Sequence, residues 1–170
     1  MTPLVALALS IGALGGIATA IYLKVGLAIW AGFIAWACFF HTGGDTEALK
    51  KTIIGNLFGI FCAAVAAGFL LSSISTMLGA AAAPVIVGLT VFAMVLGAHL
   101  KPFSTVPASV YGYAATFAYL LQTANAMVIG NLTIISFTGN PLLVVAISMV
   151  LGAVFGLVSA KVAGALTKKA

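Results

Sequence analysis

The chain consists of long, continuously apolar runs separated by short segments that carry most of its charged residues. A membrane-spanning strand would alternate apolar and polar residues with a period of two, and these runs show no such alternation. In hydrocarbon every backbone N–H and C=O group needs an internal partner, so each run is expected to form a helix. The pattern predicts six spans, at about 3–22, 27–41, 52–72, 80–98, 107–121 and 141–166.

Composition places this bundle in lipid. Charged residues make up 5% of the 170 residues and hydrophobic residues 64%. A soluble domain carries roughly 25% charged residues, which this chain lacks. We therefore expect an all-α integral membrane protein with a single transmembrane domain over residues 1–170, surrounded by a lipid bilayer.

The two halves of the chain resemble one another, although alanine and glycine are plentiful enough for a chance match. Displaced by 80 positions, the second predicted helix matches the fifth, and displaced by 97, the third matches the sixth. The matched residues are Ala28, Gly32, Phe33, Ala35 and Phe39 with Ala108, Gly112, Tyr113, Ala115 and Tyr119, and 55–59 with 152–156. Three helices per copy would invert the second copy, as in many transporters. Repeat one is expected at about 1–72 and repeat two at about 80–166, with an insertion near 123–139.

The second and fifth predicted helices are unusually short and rich in aromatic residues. About 15 residues give roughly 22 Å of helix, against a hydrocarbon core near 30 Å. Short spans at matching places in two halves indicate a binding site or pore. The expected substrate path is lined by Trp30, Trp36, Tyr111, Tyr113 and Thr116. The alternative for any one ring is an interface anchor or a lipid-facing position.

Three pairs of glycines are spaced four residues apart, which puts both members on one helix face. That spacing lets another helix backbone approach closely. The pairs are Gly12 and Gly16, Gly55 and Gly59, and Gly152 and Gly156. They are expected to pack helices, either within the chain or between subunits of a homo-oligomer.

The positions of the lysines predict the orientation. The chain has seven lysines, no arginine and a net charge of +5. Lys24 lies on one side of the predicted bundle, and the other side carries Lys50, Lys51, Lys101, Lys161, Lys168 and Lys169. By the positive-inside rule both termini are cytoplasmic. Because the lysines are scattered over loops, no nucleic-acid partner is expected.

The segment from Lys101 to Pro107 contains two prolines, which prevent one helix from running through it. Ser104 or Thr105 is a candidate N-cap for the helix that follows, and a helix start beside Lys101 attracts anions or polar solutes. An ordinary turn with a snorkelling lysine is the alternative. The expected cytoplasmic mouth comprises His41, His99, Lys101, Ser104 and Thr105. The histidines there would form a pH-sensitive gate or simply end their helices.

Polar residues interrupt the insertion near 123–139, which is either a re-entrant segment or an external loop. Asn140 before Pro141 is typical of an N-cap followed by a helix start. The expected outer mouth is formed by Asn125, Asn131 and Asn140.

Asp45 and Glu47 are the chain's only acidic residues, and Asp45 is expected to cap the third helix. Without an acid inside a span, coupling to protons or cations is disfavoured. No nucleophile, base and acid set, zinc motif or phosphate loop is present, so an enzyme is not expected. Cys38 and Cys62 lie inside apolar spans without clustered ligands, and neither a metal nor a cofactor is expected.

The segments 30–33, 106–118 and 152–156 resemble the YcdZ-like bacterial inner-membrane proteins, a family of unknown function. The likeness covers most of the chain and implies a bacterial cytoplasmic membrane protein. The order of features from Trp30 to Gly59 is also similar to fusaric-acid-resistance and aromatic-acid-exporter membrane domains. That second likeness favours transport, although the arginines and soluble regions usual in that group are missing.

These observations predict a channel or carrier that passes a small neutral or anionic solute. The alternative is a non-transporting membrane subunit that assembles with or stabilises a larger complex. The small-residue helix faces serve both functions equally well.

Overall fold

The regular structure is helical throughout residues 1–167, which the computed structural model of the protein describes. The α-helices are α1 (Pro3–Val25), α2 (Ile29–His41), α3 (Thr46–Leu70), α4 (Ser73–Leu78), α5 (Ala82–Leu96), α6 (Val106–Gln122), α7 (Ile129–Thr133) and α8 (Pro141–Leu166). Short 3-10 turns lie at Gly79–Ala81, Gly97–His99 and Lys101–Phe103.

Four helical runs are long and apolar enough to cross a membrane: Pro3–Val25, Thr46–Leu70, Ser73–His99 and Pro141–Leu166. The protein is therefore a multi-pass membrane protein. The predicted shortness of the second and fifth helices is also seen, because α2 has 13 residues and α6 has 17. The insertion near 123–139 contains only the five-residue α7 and otherwise lacks regular helix.

The helix ends follow the capping residues in the sequence. The Asp45 carboxylate accepts a hydrogen bond from the Ala48 N–H at 2.7 Å, which confirms the predicted cap of α3. Thr2 caps α1 in the same way, and Gly26 ends that helix with a φ of 75°. A left-handed φ at this position suits glycine because it has no Cβ to clash.

Side-chain hydrogen bonds show that α1 and α8 are antiparallel. The Ser10 hydroxyl donates to the carbonyl of Ser159 at 2.9 Å, and the Tyr22 hydroxyl donates to the carbonyl of Ser148 at 2.6 Å. An early residue of α1 thus meets a late residue of α8. In contrast, α2 runs parallel to α8, since its later residues meet later residues of α8. The Ala28 N–H donates to the Ser148 hydroxyl, and the Trp36 indole N–H donates to the Ser159 hydroxyl.

On the other side of the bundle, α3 and α6 run in parallel and pack through glycine. A Cβ on Gly112 would collide with the carbonyl oxygen of Asn56, and one on Gly59 would collide with that of Ser109. These two backbones are therefore in direct contact.

Helix α8 packs against α2 in the same manner. A Cβ on Gly152 would collide with the carbonyl of Gly32, and one on Gly156 would meet the ring of Phe39. The pairs α3–α6 and α2–α8 form the two most extensive helix contacts among the described residues.

The first glycine pair behaves differently from the other two. A Cβ on Gly12 or Gly16 would meet no atom within 4 Å. Both residues are exposed on the outer face of α1, together with Ala8 and Ala20 at the same spacing. Of the two expected kinds of contact, packing within the chain is therefore seen for the pairs on α3 and α8 and is not seen for the pair on α1, which faces outward.

Candidate functional site

The residues predicted to form a cytoplasmic mouth lie at one end of the bundle, which we call the lysine end. It comprises Met1, the loops at 42–45 and 97–105, and the end of α8. The His41 Nδ1 atom is 3.0 Å from the Tyr111 hydroxyl, and this pair joins the end of α2 to α6. His99 is exposed on the 3-10 turn before Lys101.

The start of α6 differs in detail from the prediction. Thr105 occupies the N-cap position, but its side chain makes no capping hydrogen bond. The Ser104 hydroxyl instead donates to the carbonyl of Lys101 at 3.0 Å, inside the preceding turn. The helix start beside Lys101 is therefore present without a side-chain cap.

The structure does not bring the five predicted path residues to one passage. Trp36 is turned towards α8, where it stacks on Phe155 with ring centroids 5.7 Å apart. The Tyr113 hydroxyl lies 2.8 Å from the Thr90 hydroxyl of α5, so this ring faces away from α2. Trp30 is 36% exposed on the outside of the bundle.

The remaining surface between α2 and α6 is lined mainly by apolar side chains. Ala35 and Ala115 are fully buried in the core around this seam. Thr116 is also fully buried, and its hydroxyl donates to the carbonyl of Gly112 one turn earlier in the same helix. Tyr111 lines a largely apolar groove of about 310 Å³ on this seam. Any role of these side chains in permeation stays a prediction.

The predicted outer-mouth asparagines stabilise the fold of the segment before α8. The Asn140 side-chain oxygen accepts from the Leu142 N–H at 2.8 Å, which confirms the predicted cap. Its amide nitrogen donates to the carbonyl of Ile134 at 2.9 Å. The Asn131 amide donates to the carbonyl of Asn125, whose φ is 59°. These hydrogen bonds all join asparagine side chains to backbone groups. A role of the asparagines in solute binding also stays a prediction.

We expect Asn140→Ala to lower the free energy of unfolding by about 2 kcal/mol, because it removes a cap and the bonds to the loop carbonyls. Thermal unfolding in detergent, followed by circular dichroism, measures this change. Asn131→Ala is the matched control, because its amide makes a single exposed hydrogen bond. Equal melting temperatures for the two variants would contradict the assignment.

Three polar side chains that the sequence did not single out are buried on α3 and α6, whose backbones are in contact: Thr52, Asn56 and Ser109. We call this set the central polar cluster. Each of these side chains is at most 2% exposed. Thr52 faces α2, since its hydroxyl is 2.9 Å from the hydroxyl of Thr42. Asn56 lies one turn deeper on the same face of α3. Asn56 is the only amide between Lys51 and Ser72, which is the sequence feature that could have identified it.

Three buried atoms of this cluster lack a hydrogen-bond partner within residues 1–167: Asn56 Nδ2, Asn56 Oδ1 and Ser109 Oγ. A buried polar group without a partner costs about 1–3 kcal/mol. Such groups are rare in folded proteins and require a reason. The amide offers both a donor and an acceptor, so it suits a neutral molecule that can donate and accept hydrogen bonds.

Among residues 1–167, no group of three His, Cys, Asp or Glu side chains comes together. Cys38 is buried and Cys62 is partly buried, and both are free thiols.

Comparison with known proteins yields one match. The model of a family described as "Protein of unknown function (DUF1097)" matches residues 8–164, nearly the whole chain. Neither the curated proteins nor the solved structures contain a match to this chain. The chain therefore belongs to the DUF1097 family.

Proposed function

We propose that this chain is a membrane transport protein built from two inverted three-helix repeats that cross the membrane six times. Repeat one comprises α1, α2 and α3, and repeat two comprises α5, α6 and α8. A twofold axis in the membrane plane would exchange the contact α3–α6 with α8–α2. It would also exchange α1–α8 with α5–α3. Both pairs of contacts are present, which supports the proposal.

The glycine contact between α3 and α6 has a counterpart between α8 and α2, which supports the repeat. The two contacts differ in register by one helical turn. Gly55 meets Ala108 across α3 and α6. Displacements of 97 and 80 would then place Gly152 against Ala28, whereas Gly152 meets Gly32. Four residues correspond to about one turn, so the halves are related without being identical.

The orientation proposed from the lysines is compatible with this arrangement. Lys50, Lys51, Lys101 and Lys161 are exposed at or near the lysine end, and Lys24 lies at the opposite end of α1. Lys168 and Lys169, also assigned to that side, lie outside the described residues. We therefore place the lysine end in the bacterial cytoplasm.

The observation that carries the proposed function is the pair of unpartnered amide atoms on Asn56, buried where the repeats meet. Transporters of this architecture bind solute near the bilayer middle at the repeat interface. Since the interior around Asn56 has polar groups and no charged side chain, the solute we propose is small, neutral and capable of hydrogen bonding. The full burial of the cluster favours a carrier with an occluded site over a permanently hydrated channel.

The test is solute flux in liposomes reconstituted with purified protein. Stopped-flow light scattering measures the permeability to urea, glycerol, formamide and potassium acetate. We expect protein-dependent permeability to one or more neutral solutes. Asn56→Leu, which is similar in volume, should reduce it by about 10- to 100-fold, through loss of one hydrogen-bonding group worth about 1–3 kcal/mol.

The same variant separates a transport role from a structural role. Since the amide lacks partners, replacing it with leucine should leave the melting temperature equal or higher. Ser10→Ala is the control, because it also removes a buried polar group but breaks the α1–α8 hydrogen bond. It should lower stability and leave flux per folded protein unchanged. Equal flux for wild type, Asn56→Leu and protein-free liposomes would contradict the proposal.

The second candidate function is a non-transporting membrane subunit that assembles with or stabilises a larger complex. The outward-facing small residues of α1, with Gly12 and Gly16 open to a neighbour, favour it specifically. An unlike protein that co-purifies in stoichiometric amount from native membranes, together with absent flux, would support this function.

A further inference from the structure

Three lysines surround a cavity at the lysine end. Lys50 and Lys51 from the first turns of α3 and Lys101 from the 3-10 turn before α6 line a space of about 320 Å³, together with Glu47 and Ser104. Three cationic groups thus face one carboxylate. The cavity therefore carries a net positive charge, and it lies at the lysine end of the bundle.

An apolar groove begins directly at this cavity, and Ile54 borders both. The groove measures about 480 Å³ and is lined by Ile54, Leu57, Phe58, Phe61 and Phe103. Its lining is apolar throughout, and it opens on the outer surface of α3, where Phe61 is 63% exposed.

One turn of chain connects the two features. Phe103 stacks on Phe58 with ring centroids 4.1 Å apart, and it lies two residues after Lys101. The Phe58 ring in turn lies over Gly97, where a Cβ would collide with it. The lysine of the cavity and the wall of the groove are therefore held in place by the same aromatic stack.

The groove continues along α3 and α5. Phe58 and Phe61 also line a second groove of about 260 Å³ that reaches Val65 and Thr90. From Ile54 to Val65 the helix rises about 16 Å, which matches the roughly 15 Å occupied by one leaflet's acyl chains. Thr90 contributes the polar part of this lining, and its hydroxyl is bonded to the carbonyl of Ile86 and lies beside the Tyr113 hydroxyl.

We propose that this surface binds one anionic phospholipid, with its phosphate among Lys50, Lys51 and Lys101 and an acyl chain along the groove from Ile54 to Val65. Charge complementarity selects the headgroup, because basic pockets at the cytoplasmic side of transmembrane helices attract anionic lipids. The apolar groove excludes a free soluble anion as the full ligand. It also disfavours a peptide, whose backbone would find no hydrogen-bonding partners there.

The experiment is native mass spectrometry of delipidated full-length protein titrated with phosphatidylglycerol or phosphatidylcholine in detergent. We expect one phosphatidylglycerol to bind at least tenfold more tightly than phosphatidylcholine. The triple variant Lys50→Gln, Lys51→Gln, Lys101→Gln should lose about a hundredfold in affinity for phosphatidylglycerol. The matched control, Lys24→Gln with Lys161→Gln, removes lysines outside the cavity and should bind like the wild type.

Two further experiments test whether the groove binds the lipid and whether the cavity binds a lipid phosphate or a soluble one. Phe61→Ala should weaken phosphatidylglycerol binding, whereas Phe92→Ala, equally exposed at 63% but outside the groove, should not. Glycerol 3-phosphate should fail to compete with the lipid. Competition at equal concentration would assign the cavity to a soluble phosphate and overturn the proposal. Equal affinity of wild type and the folded triple variant, or of single Lys101→Gln if the triple variant does not fold, would overturn it too.

Discussion

Replacing Gly112 with alanine is expected to destabilise the protein strongly. The added Cβ would collide with the carbonyl of Asn56, so α3 and α6 would have to move apart. These two helices form the most extensive helix–helix contact among the described residues. Overpacking of this kind costs about 1–3 kcal/mol, and more when backbone atoms cannot move aside. We expect a lower melting temperature and a large loss of monodisperse protein on size-exclusion chromatography.

Gly12→Ala is the matched control for this substitution. It adds the same methyl group in a helix, where no atom lies within 4 Å. Because alanine is also the better helix former, this variant should be neutral or slightly more stable. If Gly112→Ala melts at the wild-type temperature, the close approach of α3 and α6 is wrong.

Trp36→Ala is expected to have a comparable effect on the opposite side of the bundle. Trp36 is 4% exposed, stacks between Phe33 and Phe155, and donates its indole N–H to the Ser159 hydroxyl. Removing a large buried ring costs about 3–5 kcal/mol. Thermal unfolding in detergent by circular dichroism should register this loss.

Two other substitutions separate the contributions at Trp36. Trp36→Phe keeps an aromatic ring and loses the hydrogen bond, so it should cost about 1 kcal/mol through that bond. Trp30→Ala, on the same helix but exposed, should cost little. A loss at Trp30 as large as that at Trp36 would show that the rotation of α2 about its axis is not as described.

Features governed by local chemistry were predictable from the sequence. Asp45 and Asn140 cap helices because a short polar side chain before an apolar run can accept backbone hydrogen bonds. The short α2 and α6 followed from the lengths of their apolar runs. The close packing at Gly59 and Gly152 followed from their four-residue spacing to other glycines.

The neighbouring helix that each aromatic side chain contacts could not be predicted. A helix that is apolar on every side carries no stripe to fix its rotation, so Trp36 and Tyr113 gave no indication of which neighbour they contact. The structure shows Trp36 against α8 and Tyr113 against α5. For the same reason the sequence did not indicate what Asn56 contacts, although an amide without hydrogen-bond partners is costly to bury.

The proposed topology depends most on α6, because its 17 residues must cross the membrane for the second three-helix repeat to be inverted relative to the first. The direct measurement is labelling of single cysteines with a membrane-impermeant maleimide in intact cells, in a chain whose Cys38 and Cys62 are replaced by alanine. Thr123→Cys and Lys24→Cys should react from outside, and Ser104→Cys only after permeabilisation. Reaction of positions 104 and 123 from the same side of the membrane would contradict the inverted arrangement.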